Sequence, residues 1–407
     1  MAHYQITVDS QLLHQLFLGH SQDSGVAKLL ESILNQVLQA QVTEQLEADR
    51  YERTDDRKGY RNGTYPHLLH TRVGSISLSV PRIRGAKFTT ELFMRYQRSE
   101  QALLLTMMEM VVHGVSTRKV SQVTMELCGT EFSKSTVSEL CKKLDPIVTA
   151  WNHRPLSHTP FPFILVDALY LKIREDGRVI NRGVLVGMGI NKDGRRELLG
   201  MMVGDTESEE SWTEFFNWLK QRGLHGVDLV VSDDHGGLVR AIRKQMQGVT
   251  WQRCQTHFMR NILDAAPKVL KGEIQQHVRT ALDAPNKDAA RLLLNQTLDK
   301  YSEKAPKAMQ ILENGFDDVT AVLDLPDKYR QRLRTTNIVE RLNEEVRRRE
   351  RVIRIFPNRE SVVRLIGALM MELDEKWATE RKLFDMTEYF EWRKTNKRVS
   401  AKVTRVV

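Results

Sequence analysis

One carboxylate of this sequence lies inside a hydrophobic strand, where its burial costs much free energy. Asp167 lies within FPFILVDALYLKI (161–173), whose length and apolar content are typical of a buried β-strand. Burial of a carboxylate is unfavourable unless another group compensates its charge. We therefore expect Asp167 to face a functional site. The alternative is a structural aspartate that is hydrogen-bonded to the backbone.

Two further acids stand in equally distinct settings. Asp233 ends the apolar run VDLVVSD (227–233), and Glu340 lies in the helical stretch TTNIVERLNEEVRRR (335–349). If Asp167 and Asp233 occupy neighbouring strands and Glu340 approaches on a helix, the three carboxylates form an all-oxygen site for two Mg²⁺ ions. Such a pair stabilises the attacking and leaving oxygens of a phosphoryl transfer.

Neighbouring acids leave two of these assignments open. Asp234 directly follows Asp233, and either residue could bind a metal or cap the next helix. Glu344 follows Glu340 by one helical turn and shares its side of the helix.

These acids lie among motifs that resemble those of the Mutator-type bacterial insertion-sequence transposases. The similar motifs are Asp167 in its strand, S-D-D-H-G-G-L (232–238), C-Q-T-H (254–257), T-N-I-V-E-R-L-N-E-E-V-R-R-R (336–349), Y-R-N-G (60–63), V-P-R-I-R (80–84) and G-V-S-T-R-K-V (114–120). The resemblance runs from about residue 30 to about residue 390. The intervals of 66 residues between the first two acids and 107 between the second and third are like that family's D-D-E pattern.

The resemblance implies that Asp167, Asp233 and Glu340 are the catalytic, metal-binding carboxylates of a DDE transposase. It favours Asp233 over Asp234 and Glu340 over Glu344. One departure is Asp234 itself, where the resemblance leads us to expect glycine, so the choice between the two aspartates stays open.

The resemblance also implies a reaction, a cofactor and partners. The enzyme would bind the ends of its insertion sequence, cleave DNA strands and join the 3′ ends to target DNA, using Mg²⁺ or, in its place, Mn²⁺. Its partner would be double-stranded DNA, and a homodimer would hold two element ends in a synaptic complex. Two rival functions are a DNA-binding regulator and a structure-selective nuclease built on the same fold, and a strand-transfer assay separates all three.

Composition is consistent with a multidomain cytoplasmic protein. A length of 407 residues suggests two or three domains, and 41% hydrophobic residues suffice for real cores. We see no signal peptide and no apolar run approaching ~18 residues. Three scattered cysteines, Cys128, Cys141 and Cys254, do not form a disulfide framework, and a reducing cytosol fits them.

The net charge of +9 is concentrated in two windows. Residues 50–98 hold eleven basic against four acidic residues, and residues 328–364 hold twelve against five. Such concentration indicates binding to a polyanion, although solvated helix faces would give the same count. The basic side chains that we expect to contact DNA are Arg61, Arg82, Arg84, Arg118, Lys134, Arg347, Arg348 and Arg351.

The first part of the chain reads as a DNA-binding region. Residues 1–100 form a helical and basic DNA-contacting module, with a helix over 28–49 and a half-exposed strand over 71–84. Residues 101–145 read as three short helices, and we predict a helix-turn-helix-like DNA-binding domain over 101–152, with an ordinary three-helix core as the alternative.

The rest of the chain has the element order of an α/β ribonuclease H-like catalytic core. A linker at 153–160 leads to strands at 163–173, 183–191, 197–205, 227–233 and near 249–253, with a helix at 208–222. This order puts the first and fourth strands side by side. The core comprises 153–258 and 331–378, an all-helical insertion occupies 259–330, and 379–407 is a basic tail.

Three further residues have predicted supporting roles near the acids. Cys254 and His257 form C-x-x-H, which by itself is consistent with half a zinc site, a phosphate-contacting histidine or packing at the base of a helix. The resemblance places this motif near the active site. We expect Cys254, His257 and Asn343 to orient the catalytic groups or the DNA.

Overall fold

The computed structural model describes residues 6–11, 13, 22–85, 87–93, 98–128 and 130–403. The chain divides into two compact units, Met1–Lys143 and Leu144–Val407. Within the described residues, no helix has both the length and the apolar character needed to cross a lipid bilayer.

The first unit contains a long helix packed on a two-stranded antiparallel ribbon. Its elements are α1 (Gln22–Leu46), β1 (Tyr60–Thr71) and β2 (Gly74–Arg84). Ile76, Leu78 and Val80 alternate along β2 and are buried with Leu38 of α1, while the serines between them are exposed. This alternation is the one that predicts a strand over 71–84.

Strand β1 was not predicted, because residues 50–67 are polar, basic and rich in turn formers. Most of its residues before Leu69 are exposed, so they need no hydrophobic alternation. Pairing with β2 forms the strand instead, and the register shifts between Arg61 and Thr64 around Gly63, whose φ is +73°. The N-terminal region is therefore less purely helical than the sequence predicts.

Three helices follow in the same unit, as predicted. They are α2 (Gln101–Val112), α3 (Thr117–Cys128) and α4 (Lys134–Cys141). Their core includes Leu103, Met107, Val120 and Val137. The hydroxyl of Ser133 caps α4 by accepting a 3.1 Å hydrogen bond from the Thr136 amide.

The second unit is built on a mixed five-stranded sheet of order β5-β4-β3-β6-β7. Its strands are β3 (Phe163–Glu175), β4 (Arg178–Ile190), β5 (Arg196–Gly204), β6 (Leu229–Ser232) and β7 (Thr250–Arg253). The first three are antiparallel, and β6 runs parallel to β3 and to β7. The predicted meander and the predicted pairing of the first strand with the fourth are both confirmed.

Helices α5 (Asp145–Asn152), α6 (Glu209–Gln221) and α7 (Gly236–Gln245) belong to this unit. Trp212, Phe215 and Phe216 of α6 pack with apolar residues of β3 and of α7 in one fully buried core. The parallel crossover from β5 through α6 to β6 brings the end of β6 beside β3.

Residues 255–324 are helical and have a hydrophobic core of their own. The elements are α8 (Gln255–Ala265), α9 (Lys271–Leu282), α10 (Lys287–Tyr301), α11 (Pro306–Val319) and a 3₁₀ turn (Ala321–Asp324). Phe258, Ile274, Tyr301 and Phe316 are among the residues buried between them. Every residue from 255 to 324 is described, and this stretch contains no strand.

Four helices follow residue 324, and the last of them differs from prediction. They are α12 (Asp327–Leu333), α13 (Asn337–Ile353), α14 (Arg359–Thr379) and α15 (Thr387–Val403). The stretch 379–407 is more than a basic tail, because Tyr389 of α15 is fully buried with its ring 4.7 Å from that of Phe163.

The predicted linker 153–160 is also part of the second unit rather than a boundary. Leu156 is fully buried, and its amide donates a 2.6 Å hydrogen bond to the Arg222 carbonyl. Helix α5, which precedes this segment, packs against α14 and β5. The division between the units lies earlier, after Lys143.

Candidate active site

The register of β3 and β6 brings Asp167 and Asp233 to the same level of the sheet. Phe163 lies opposite Leu229 and Leu165 opposite Val231, which are offsets of 66 residues. Asp167 and Asp233 are separated by the same 66 residues. Because side chains in parallel strands align by register, Asp233 emerges at the end of β6 beside Asp167. The 66-residue interval between the two aspartates therefore equals the offset between the paired residues of β3 and β6.

Asp167 is held by two hydrogen bonds and is partly shielded from water. Its Oδ1 accepts a hydrogen bond from the Ala168 amide (2.9 Å), and its Oδ2 accepts one from Nδ2 of Asn343 (2.7 Å). Burial, followed by repulsion from Asp233, raises the pKa of Asp167 to about 7. A carboxylate whose ionisation is opposed by a neighbouring negative charge favours a cation close to it.

The two adjacent aspartates after β6 have different partners. Asp234 accepts a 2.8 Å ion-pair contact from Arg253 of β7, whose side chain is only 9% exposed. Asp233 accepts a longer hydrogen bond, 3.3 Å, from the His235 amide, and its charge acts on Asp167. The charge of Asp233 is thus the one that acts on Asp167, whereas Asp234 is paired with the Arg253 guanidinium.

Glu340 lies in the first turn of α13 and points toward the motif C-x-x-H. Its Oε1 accepts a 3.2 Å hydrogen bond from the Thr336 hydroxyl and lies 3.9 Å from Nε2 of His257. Glu344, one turn later, is exposed. Because Asn343 of the same helix reaches Asp167, α13 presents both Glu340 and Asn343 to the acids of the sheet.

Cys254 and His257 complete the cluster from the start of α8. Cys254 is fully buried, and its Sγ accepts a 3.5 Å hydrogen bond from the Thr336 amide and lies 3.3 Å from the Thr336 hydroxyl oxygen. Interaction with Cys254 raises the pKa of His257 against the effect of burial, and the charges of Glu340 and Asp233 add to the rise. Ligand atoms of Cys254, His257 and Glu340 lie within 4.8 Å of one another, so this trio could also hold a metal ion.

The arginines after Glu340 divide into three environments. Arg349 is buried and is paired with Glu345. Arg347 and Arg348 are exposed and form ion pairs with glutamates of the same helix, at 3.1 and 3.2 Å. Arg351 is exposed, three helical turns from Glu340.

The predicted DNA contacts of the first unit are mostly exposed, with one difference. Arg84 of β2, Arg118 of α3 and Lys134 of α4 are exposed, and so is Arg82, whose guanidinium lies over the Tyr65 ring at 5.2 Å. Arg61 instead points to α1, where it donates a 2.7 Å hydrogen bond to the Thr43 hydroxyl. Burial lowers its pKa, and its guanidinium is directed into the first unit.

One acidic residue near the cluster was missed by sequence reasoning. Glu207 lies between β5 and α6, and its side chain is only 10% exposed. It follows a strand end, as catalytic acids of α/β sheets often do. The surrounding sequence TESEES is also typical of a helix N-terminus, where acidic residues are common, so the sequence does not distinguish Glu207 from its neighbours.

Comparisons with known proteins extend along nearly the whole chain. A family model described as "Transposase, Mutator family" matches residues 1–380. The chain is 44% identical over 379 residues to the transposase for insertion sequence element IS256 in transposon Tn4001 of Staphylococcus aureus, covering 93% of this chain and 97% of that protein. It is 43% identical over 381 residues to the transposase for insertion sequence element ISRM5 of Rhizobium meliloti, covering 94% and 96%.

A solved structure, "Mos1 transposase paired-end complex with left transposon end", covers 59% of this chain and 83% of its own, with 10% identity and a TM-score of 0.17.

Proposed function

The chain belongs to the Mutator family of transposases, and we propose that it is a DDE transposase whose Asp167, Asp233 and Glu340 cut and join DNA. It would bind the ends of its insertion sequence, cleave there and join the 3′ ends to target DNA. The observation that supports the proposal is that Asn343 of α13, the helix of Glu340, donates a hydrogen bond to Asp167 of β3, while Asp233 directly follows β6, the strand parallel to β3. We also propose that the mixed sheet is a ribonuclease H-like core, interrupted by the helical residues 259–330.

The residues of the site fit divalent cations with oxygen ligands. Mg²⁺ prefers carboxylates and water, and the mutual repulsion of Asp167 and Asp233 is relieved by a positive charge between them. We propose that Asp167, Asp233 and Glu340 hold two Mg²⁺ ions, for which Mn²⁺ substitutes. When bound, such ions activate water and stabilise the charge that develops at a reacting phosphate.

The protein's own contribution is to fix these acids in place. Asn343 orients Asp167 and Thr336 orients Glu340, so neither carboxylate has to reorganise when DNA arrives. His257, whose Nε2 lies 3.9 Å from Oε1 of Glu340, would donate a ring N–H to a phosphate oxygen at the site. In-line transfer depends on such positioning, because small displacements of the reacting atoms cost much of the rate.

We propose that DNA is recognised by the first unit and held for reaction by α13. The exposed basic side chains of the ribbon and of α3 and α4 suit phosphate contacts, and both a two-stranded ribbon and a helix fit the major groove. Residues 101–152 would include a helix-turn-helix. Arg347, Arg348 and Arg351 would bind phosphates near the site. Two ends must be joined, which implies a homodimer in a synaptic complex.

A strand-transfer assay on element-end DNA tests the proposal. Asp167→Asn, Asp233→Asn and Glu340→Gln should each reduce joining by on the order of 10³-fold or more, while end binding remains. Glu344→Gln is the matched control on the same helix and should retain activity. Full joining by Glu340→Gln would remove that residue from the site.

The same assay separates the rival functions. End binding without any cleavage by the wild type would favour a regulator. Cleavage without joining would favour a nuclease.

A further inference from the structure

Glu207 is a nearly buried carboxylate beside the acid cluster, and none of the roles above uses it. It lies in the short connection between Gly204, where β5 ends, and Glu209, where α6 begins. With its side chain only 10% exposed, its charge is largely removed from water. A carboxylate in that position needs compensation from a cation or from strong hydrogen bonds.

The connection that contains Glu207 packs against α7, the helix that follows Asp233. A Cβ atom on Gly237 in α7 would lie 2.7 Å from the Glu209 nitrogen and 2.9 Å from the Ser208 carbonyl carbon, so only glycine permits this approach. Glu209 also forms a 2.7 Å ion pair with Arg240 of α7. The hydroxyl of Ser208 caps α6 by accepting a 3.2 Å hydrogen bond from Ser211. Glu207 is therefore held in a fixed place.

Its two direct side-chain contacts are to residues that follow the two aspartates in the chain. Glu207 Oε2 accepts a hydrogen bond from the Tyr170 hydroxyl at 3.4 Å, and Tyr170 follows Asp167 by three residues on β3. Glu207 Oε1 lies 3.7 Å from Nδ1 of His235, which follows Asp233 by two residues. Burial and the charge of Asp233 raise the pKa of Glu207, and Glu207 in turn raises that of Asp167. The charges of Asp233 and Glu207 thus both act on Asp167.

Tyr170 and His235 compensate the buried charge only in part, and the Trp212 side chain also lowers the pKa of Glu207. A strong hydrogen bond from a hydroxyl to a carboxylate is about 2.5–2.7 Å long, and both contacts of Glu207 are longer. His235 is half-exposed and offers a positive charge only when protonated. A purely structural glutamate would be expected to have closer donors. A cation shared with the neighbouring aspartates would meet this deficit.

We propose that Glu207 is a fourth carboxylate of the active site and helps Asp233 and Asp167 to hold a divalent cation. The inference rests on the proposed function, since it adds a ligand to the metal site of the same reaction. Its oxygen chemistry suits Mg²⁺ or Mn²⁺. The role differs from that of Asn343 or Thr336, which orient an acid and do not bind metal themselves.

Manganese binding to the full-length protein without DNA tests this inference. Mn²⁺ affinity is measured by titration calorimetry for the wild type, Glu207→Gln, Asp167→Asn and Glu210→Gln. Glu210 is exposed in the first turn of α6, the helix that follows Glu207, and serves as the matched control. Glu207→Gln should weaken Mn²⁺ binding by about 10-fold or more, the size expected for loss of a supporting group at a metal site. Glu210→Gln should bind Mn²⁺ as the wild type does.

The rise in melting temperature on adding Mn²⁺ provides a second readout that does not depend on activity. It is measured within each variant, so a change in the baseline stability of Glu207→Gln does not affect it. A diminished rise supports the inference. If Glu207→Gln keeps the full Mn²⁺ affinity and the full rise while Asp167→Asn loses both, Glu207 is not a ligand and the inference is overturned, although the proposed function stands.

A different pattern would count against the proposed function itself. If Asp167→Asn and Asp233→Asn both bind Mn²⁺ as the wild type does, the acid pair is not the metal site. The inference about Glu207 then falls with it.

Discussion

Asn343 donates a 2.7 Å hydrogen bond from its Nδ2 to Oδ2 of Asp167, across 176 residues of sequence. This bond joins α13, the helix that carries Glu340, to the strand that carries Asp167. The Oδ1 of Asn343 is buried and has no hydrogen-bond partner in the described part of the chain. A side chain with one used donor and one unused acceptor is suited to orienting a carboxylate whose protonation changes.

Replacing Asn343 by Leu should slow strand transfer by about 10- to 100-fold, the usual effect of removing a group that orients a metal ligand. Leucine keeps the volume and the helix but cannot donate to Asp167. End binding should stay unchanged, because it depends mainly on basic side chains. Joining and end binding are measured together, with Glu344→Gln as the control on the exposed side. Wild-type joining by Asn343→Leu would show that the bond has no functional role.

Metal-free protein should lose stability as the pH rises from about 4 to about 7 because of Asp167. Burial and Asp233 raise its pKa to about 7, against 3.8 for an ordinary aspartate. A raised folded-state pKa stabilises the fold below the unfolded value and ceases to do so above the folded one. At about 1.36 kcal/mol per pKa unit, the loss is at most about 4 kcal/mol.

Asp167→Asn isolates this effect, because asparagine is uncharged and can donate to the unused Oδ1 of Asn343. Unfolding of both proteins in chelator at pH 5 and pH 8 gives the comparison. The variant should gain stability relative to the wild type at pH 8, and the gain should shrink at pH 5. A constant difference at both pH values would contradict the assignment. Mg²⁺ at pH 8 should stabilise the wild type more than the variant.

The two aspartates after β6 should separate chemistry from stability. Asp234→Asn should lower the free energy of unfolding, because it leaves the nearly buried Arg253 guanidinium without its ion-pair partner. It should leave the rate of strand transfer within a few-fold of the wild type. Asp233→Asn should strongly reduce the rate of strand transfer without lowering the free energy of unfolding. Denaturant unfolding and strand transfer measured on both variants give the answer, and an inactive but stable Asp234→Asn would exchange the two roles.

The sequence predicts the central part of this structure because the relevant signals are local. Asp167 interrupts an apolar run, and the element order alone places its strand beside the one that ends at Asp233. The missed features depend on partners distant in sequence. Strand β1 is recognisable only through its pairing with β2, since its residues are mostly exposed. The ion pair between Asp234 and Arg253 depends on the β6–β7 register. Glu207 is not recognisable because its neighbours are typical of a helix N-terminus.

The arginines of α13 should contribute unequally to DNA binding. Arg351 is exposed on the side of Glu340, whereas Arg347 and Arg348 already pair with glutamates of their own helix. Arg351→Gln should reduce the slope of log K against log salt by about 0.9, the value for one phosphate contact. The reductions for Arg347→Gln and Arg348→Gln should be smaller. Arg279→Gln, an arginine 73% exposed on α9, is the control. An unchanged slope for Arg351→Gln would make this residue part of a solvated face.

Two truncations should locate the boundary between the units. Fragment 144–407 keeps α5, whose Val148 packs so closely on α14 that a Cβ atom at Gly367 would lie 2.3 Å from it. Asn152 of α5 exchanges two 2.9 Å hydrogen bonds with the backbone of Met201 on β5. Fragment 153–407 loses both contacts, which together are worth several kcal/mol at about 1.5–3 for the valine and about 1 per hydrogen bond.

The longer fragment should therefore unfold cooperatively and bind Mn²⁺, while the shorter one should melt at a clearly lower temperature or fail to fold. Neither fragment should select element ends over random DNA, since the first unit is expected to supply that recognition. Calorimetric melting and competition binding measure the two properties. Equal melting temperatures would return the boundary to the segment 153–160, and end selection by fragment 144–407 would place specificity in the second unit.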